Sequence, residues 1–165
     1  LLQNCDNSET KRGRNAMNID ICKEQIKRHE GEVLEIYEDS LGYLTLGVGH
    51  LIQKQDPEYG QPAGTPVSQE VVDMYYDQDF KKHHIETLHV FGVNEDWDGL
   101  PEDIQHVLVN MCFNLGGSRL SKFENMLRAC RRHDWNEMAK EMEDSKWFYQ
   151  VGRRGKELQD MVLGV

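Results

Sequence analysis

Three residues in the first third of the chain have the types and spacing for bond-breaking chemistry: Glu30, Asp39 and Thr45. They lie in HEGEVLEIYEDSLGYLTLGVGH, residues 29–50. Glu30 stands at the end of a helical pattern, against residues expected in the core. Desolvation of a carboxyl favours its protonated form, which is what a general acid needs. Asp39 follows nine residues later beside turn chemistry, DSLG, where a carboxylate stays wetter and ionised. Two carboxyls in unlike surroundings divide into acid and base, the requirement for cleaving a glycosidic bond. Thr45 offers a hydroxyl that can hold a water against Asp39. Spacing alone carries little weight in a chain of 29 acidic residues. A turn aspartate and a helix-end glutamate are the plainer reading of the same letters.

The elements that must position these groups can be read in order. Residues 1–16 are polar and without periodicity, a loose N-terminal arm. Ile19, Cys22 and Ile26 have helical spacing, and Gly31 is a stop signal. Residues 35–50 turn strand-like, with Ile36, Tyr37, Tyr43, Leu44, Thr45, Leu46 and Val48, and predict a small antiparallel hairpin sheet. Residues 53–66 carry three of the four prolines and predict a loop. Ser68 can cap a helix running to about residue 90. Ile104 to Leu115 form a full apolar stripe closed by Gly116–Gly117. Phe123 to Cys130 form another, Asp134 and Glu137 resemble a capping box, and a last helix carries Leu158, Met161 and Val162. The expected fold class is α+β, with a small sheet in an N-terminal lobe, a long bridging helix and an all-helical C-terminal lobe. After the arm, residues 17–165 form one domain, the N-lobe about 31–80 and the C-lobe about 81–165 plus the first helix.

Composition bounds the function. The 165 residues suffice for a real core, and 38% hydrophobic against 29% charged suits a globular domain. No run approaches the roughly 18–20 apolar residues of a membrane span, so stable membrane insertion is not expected. The first apolar run is only Leu1–Leu2, so no signal peptide is expected within these residues, and the Leu start suits a mature form. A net charge of −10 argues against nucleic acid as a partner. Arg128, Arg131, Arg132, Arg153 and Arg154 still allow a local positive patch. Cys5, Cys22, Cys112 and Cys130 allow two disulfides in three connectivities, although Cys112 and Cys130 fall on apolar helix faces where free thiols pack as small hydrophobes.

One resemblance organises these residues. Glu30-Gly31, Tyr37, Asp39, Gly42-Tyr43, Thr45, Gly47, Gly49 and His50 stand in register, without a gap, with a segment of the phage-type lysozymes, the family of the T-even bacteriophage lysozymes. VLVNMCFNLGG around Asn110 and Phe113, and SKWFYQVGRRGKEL around Trp147 and Arg154, resemble two further segments. The resemblance covers about residues 17–163, with an altered loop near 53–66. It implies a lysozyme-like two-lobed fold and a muramidase. Such an enzyme hydrolyses the β-1,4 bond between N-acetylmuramic acid and N-acetylglucosamine in bacterial peptidoglycan, with inversion. Glu30 would protonate the leaving oxygen, Asp39 would activate water, and Thr45 would help hold that water. An inverting pair stands roughly 6.5–9.5 Å apart. His50 would pair with Asp79 as a stabilising contact, and Arg154 would hold Glu30. Leu51, Phe113, Asn114 and Lys146 would meet the sugars, and Trp147 would border the cleft. No metal or organic cofactor is implied, and a monomer is expected because the cleft must admit a polymer.

The departures are specific. Phage members are commonly basic, whereas this chain is acidic, which weakens attraction to anionic walls. The arm and the four cysteines suggest a secreted, extracellular relative from an animal host, with an antibacterial or digestive role. The alternative from another class is a non-catalytic peptidoglycan-binding protein of the same fold, although a pure binder need not keep Glu30, Asp39 and Thr45. Membrane disruption by the basic C-terminal helices is disfavoured by the net charge, and transglycosylation by Thr45. Zinc-like spacings at Cys130–His133 and His106–Cys112 are better read as core, and His83–His84 and Arg131–Arg132–His133 as solvated helix faces.

Overall fold

The computed structural model describes residues 16–165. Helix α1, Ile19–Glu30, begins at Asn18, whose side chain accepts from the Ile21 amide. It ends at Gly31, which adopts φ 77°. That left-handed φ is costly for any residue with a Cβ, so the stop falls at the glycine and fixes Glu30 on the last helical turn.

Three antiparallel strands follow, β1 Val33–Glu38, β2 Leu44–Gly47 and β3 His50–Leu51, in the order β1-β2-β3. Tyr37 pairs with Thr45 and Glu38 with Leu44, so the turn between β1 and β2 spans Asp39 to Tyr43. The register shifts between Val33 and Tyr37, an irregularity that bends β1. Thr45 pairs with Leu51 and Leu46 with His50 across a turn that holds Gly49 at φ 70°.

Helix α2, Gln69–Phe91, is the long bridge. Ser68 caps its start by accepting from Val71 N. Its end is closed by Arg131, whose Nε and Nη2 donate to the carbonyls of Phe91 and Val90 at 2.8 and 3.2 Å. These carbonyls have no partner inside the helix, so a guanidinium there satisfies them. Arg131 is therefore a helix cap rather than part of a wet face.

The remaining helices are α3 Glu102–Leu115, α4 Gly117–Leu120, α5 Glu124–Arg131, α6 Trp135–Glu143, α7 Lys146–Val151 and α8 Arg153–Leu163. Half of the expected capping box forms: Asp134 accepts from Glu137 N, but its own amide donates to the Ala129 carbonyl at 2.9 Å rather than to the Glu137 side chain. Gly116 ends α3, but Gly117 opens the short α4, and its amide donates to Glu86 Oε2 at 2.9 Å.

Two apolar clusters result. One joins Cys22 and Ile26 of α1, the strand residues Ile36 and Leu46, Val48 of the β2–β3 turn, the first half of α2, and Val109. The other gathers Phe91, most of α3 and the inner faces of α5, α6 and α8. Helix α3 is buried on every side from Ile104 to Cys112, as a helix running through the middle of a bundle must be.

Cys22, Cys112 and Cys130 are free, fully buried thiols, and no bridge joins them to one another. Burial pushes their thiols up to about 12, 11 and 12. The disulfide expectation therefore fails for these three, because each packs as a small hydrophobe; Cys5 lies outside the described residues. Among the described residues no helix is long and apolar enough to cross a membrane.

Candidate active site

The Glu30 carboxyl is held by an arginine and neighbours a glycine. Arg154 Nη1 donates to Glu30 Oε1 at 2.7 Å. The other oxygen, Oε2, lies 3.4 Å from where a Cβ on Gly49 would stand. The glycine at this turn supplies the left-handed φ, and a Cβ there would stand in van der Waals contact with the carboxylate.

Arg154 is itself buried and oriented. Its Nε donates to Asn110 Oδ1 at 2.9 Å and its Nη2 to the Asn110 carbonyl at 3.3 Å. Asn110 is fully buried, and its Nδ2 reaches Gln25 Oε1 and His29 Nδ1 at 3.2 and 3.1 Å. His29 Nε2 continues to Glu157 Oε2 at 2.8 Å, and Arg28 pairs with the same carboxylate. Those bonds, Arg28 first, hold Glu157 well below the usual carboxylate range. A continuous polar chain therefore runs between α1, α3 and α8, and Glu30 is its terminus.

Asp39 sits in the β1–β2 turn. Its Oδ1 accepts from the amides of Leu41 and Tyr43, both at 2.9 Å, closing the turn as an Asx motif. The turn-residue reading is thus true as structure, and the second oxygen is not part of that cap. Thr45 is 4% exposed, and its Oγ1 donates to the Tyr43 carbonyl at 3.0 Å. With its proton committed there, Thr45 faces other groups as an acceptor.

Tyr37 has its phenol within electrostatic reach of both acids. Burial raises its phenol above the ordinary value, and the charges of Glu30 and Asp39 raise it further. Both carboxylates therefore act on one phenol, although they come from a helix end and a hairpin turn.

His50 is stacked on Tyr75, with ring centroids 4.0 Å apart. Its Nδ1 meets Asp79 Oδ2 and its Nε2 meets Asp56 Oδ2, each at 2.8 Å. Two carboxylates on two ring nitrogens require both nitrogens to donate, so the imidazolium is the matching form. Burial opposes that charge, but the bonds to Asp79 and Asp56 outweigh it and raise the His50 pKa.

The model of the phage lysozyme family matches residues 27–162, most of the chain. The chain belongs to that family. It is 28% identical over 148 residues to a protein named probable T4-type lysozyme 2 of Dictyostelium discoideum, covering 80% of this chain and 87% of that one. A second Dictyostelium protein, probable T4-type lysozyme 1, is 24% identical over 156 residues, covering 85% of this chain and 92% of its own length. The pre-baseplate central spike protein Gp5 of Enterobacteria phage T4 is 28% identical over 155 residues, covering 85% of this chain. The chain spans only 27% of that spike protein's length. Membership supports a lysozyme-like function of the glycosidase type.

Within this phage lysozyme domain the remaining expected residues fall at different places. Leu51 is exposed on β3. Phe113 is half-buried and packs edge-on against Tyr76 and His83, with centroids 5.7 and 5.1 Å away. Asn114 is exposed, and its Oδ1 accepts from Trp147 Nε1 at 2.9 Å, while Trp147 itself is buried. Lys146 is exposed on the first turn of α7.

His83 and His84 do not form a solvated face. His83 packs on Phe113, and His84 lies among Phe80 and Trp97, where burial lowers its pKa. His83, Glu86 and Cys112 bring ligand-type atoms within 4.8 Å of one another. Glu86 Oε2 already serves as the cap of α4 through Gly117.

Sequence reasoning missed Asn110 as a site residue and Asp56 altogether. A buried asparagine inside an apolar stripe was the available signal for the first, since it must find partners somewhere.

Proposed function

We propose that this chain is a muramidase that hydrolyses the β-1,4 bond between N-acetylmuramic acid and N-acetylglucosamine in bacterial peptidoglycan, with inversion. The arrangement of Glu30 carries the reading: one oxygen fixed by a buried arginine and the other against a glycine, in a chain of the phage lysozyme family.

Glu30 Oε1 is taken by Arg154, so Oε2 carries the proton given to the leaving glycosidic oxygen. Asp39 Oδ1 is taken by the turn, so Oδ2 receives a proton from the attacking water. Thr45 Oγ1 accepts the water's other hydrogen, which aims a lone pair at the anomeric carbon. The anomeric carbon–oxygen bond breaks as the bond to water forms. Glu30 ends deprotonated and Asp39 protonated, and exchange with solvent resets both.

The test is reducing-end release from purified peptidoglycan, with product masses and the anomer of the first product, for wild type beside Glu30→Gln. Release by wild type alone, with hydrated muramic acid ends of inverted configuration, is expected. Binding without release by both proteins would instead favour a non-catalytic peptidoglycan-binding role.

A further inference from the structure

The chemistry proposed for the cleft leaves one set of reactive side chains unused. Among the described residues, His83, Glu86 and Cys112 are the one group of three metal-ligating types whose donor atoms converge, all within 4.8 Å of one another. His83 and Glu86 stand three apart on α2 and so share a face. Cys112 comes from the last turn of α3. The distances are long for hydrogen bonds and right for ligands. His83 Nδ1 stands 3.4 Å from Glu86 Oε2, and Cys112 Sγ stands 3.9 Å from the same oxygen. A good N–H···O bond is shorter, about 2.7–3.2 Å. Zinc bonds of about 2.0–2.3 Å to N, O and S put the corners of a tetrahedron roughly 3.3–3.6 Å apart. The His83–Glu86 edge already has that length, and the Glu86–Cys112 edge is only slightly longer.

The carboxylate is held for this role. Gly117 N donates to Glu86 Oε2 at 2.9 Å, and a Cβ on Gly117 would stand only 3.0 Å from that oxygen. A residue without a Cβ lets the backbone come this close with nothing displaced. The bond uses one lone pair of Oε2 and leaves another for an ion. An outer hydrogen bond of this kind orients a ligating carboxylate. The His83 ring is set by edge-on packing against Phe113, with centroids 5.1 Å apart. Cys112 closes the site from the core, fully buried. The His83 and Glu86 side chains keep 19% and 31% of their exposure, so an ion can enter from solvent.

We propose that His83, Glu86 and Cys112 bind one Zn²⁺, with water as the fourth ligand, and that the ion clamps α2 onto α3. A thiolate, an imidazole and a single carboxylate select zinc over Mg²⁺ and Ca²⁺, which take oxygen ligands. Cys112 loses its thiol proton to solvent as the sulfur–zinc bond forms, and no electron moves. The thiolate and the carboxylate balance the two charges of the ion, so the half-buried site is neutral overall. Two long polar contacts are thereby replaced by a crosslink between helices, and the gain appears as stability of the folded chain.

The experiment uses the full chain as the Cys5→Ser protein, so that Cys5 offers no competing thiol, freed of metal with EDTA. Titration with Co²⁺ should bring up a sulfur-to-metal charge-transfer band and the visible bands of tetrahedral cobalt, and Zn²⁺ should bleach both. Cys112→Ala should abolish the charge-transfer band. His83→Gln and Glu86→Gln, checked for native folding by circular dichroism, should each weaken Co²⁺ binding by about tenfold or more; they decide the matter even if Cys112→Ala does not fold. Zn²⁺ at a hundredfold excess over its Kd should raise Tm on the order of 5–10 °C, and Mg²⁺ at the same concentration should not. The rise should shrink in His83→Gln. A Tm indifferent to Zn²⁺, no charge-transfer band, or a band that survives Cys112→Ala would overturn the site. So would a band of unaltered affinity in His83→Gln and Glu86→Gln, since the ion would then sit elsewhere.

Discussion

Glu30 Oε2 lies 3.4 Å from the place where Gly49 would carry a Cβ, and Gly49 holds φ 70°. Both facts bear on one substitution. Gly49→Ala forces a methyl-bearing residue into the left-handed region, at about 1–2 kcal/mol. It also puts that methyl against the oxygen proposed to donate the proton. Urea unfolding should show the stability loss, and kcat on peptidoglycan should fall by more than stability explains. An unchanged kcat would show that the carboxylate accommodates the added methyl without losing its position.

Arg154 bonds Glu30 and Asn110 with different nitrogens, which a lysine cannot imitate with one ammonium. Arg154→Lys should lower kcat/KM by about 10–100-fold through misplacement of Glu30. Asn110→Ala should destabilise by about 3 kcal/mol, since it leaves buried donors unpaired. A double-mutant cycle on activity should show strong coupling between the two positions, and additive losses would contradict a relay through Asn110.

Asp39→Asn separates charge from architecture. An asparagine Oδ1 can still accept from Leu41 and Tyr43, so the turn should survive with a stability change under about 1 kcal/mol. Activity should drop on the order of 10²–10⁴-fold, the range for losing a general base. Retained hydrolysis by a folded Asp39→Asn protein would exclude Asp39 as the base.

His50 sets a pH dependence whose sign follows from its bonds. Its folded pKa is raised above the ordinary 6.5 because Asp79 and Asp56 hold the imidazolium against the cost of burial. The contribution is therefore complete below pH 6.5 and is lost as pH rises through the folded value. Thermal midpoints should decline across that window in wild type. In His50→Gln the decline should flatten, with about 3 kcal/mol lost at pH 5.5 because two carboxylates lose their partner. A slope unaltered by the substitution would assign the titration elsewhere.

Much of the scaffold was readable from local chemistry. The spacing of Ile19, Cys22 and Ile26 with Gly31, the cap at Ser68, and the pair Asp134–Glu137 each mark an end that the backbone needs. Glu30, Asp39 and Thr45 were singled out through the motif rather than through periodicity. What stayed hidden depends on distant partners. Asn110 reads as one more position in an apolar stripe until Arg154, 44 residues on, reaches it. Asp56 reads as a loop acid until the fold brings it to His50. The start of α4 at Gly117 escaped because Glu86 of another helix supplies its cap. Arg131, taken for surface charge, closes a helix 40 residues upstream.

The three buried thiols give the molecule a built-in clock. Cys22 lies in the sheet-side core, and Cys112 and Cys130 lie in the helical core. A thiol reagent needs both access and thiolate, and burial withholds both. In a Cys5→Ser background, each labelling rate therefore times the opening of the core around one sulfur. Rates that differ between Cys22 and the other pair would reveal two halves that breathe independently, and equal rates a single cooperative melt.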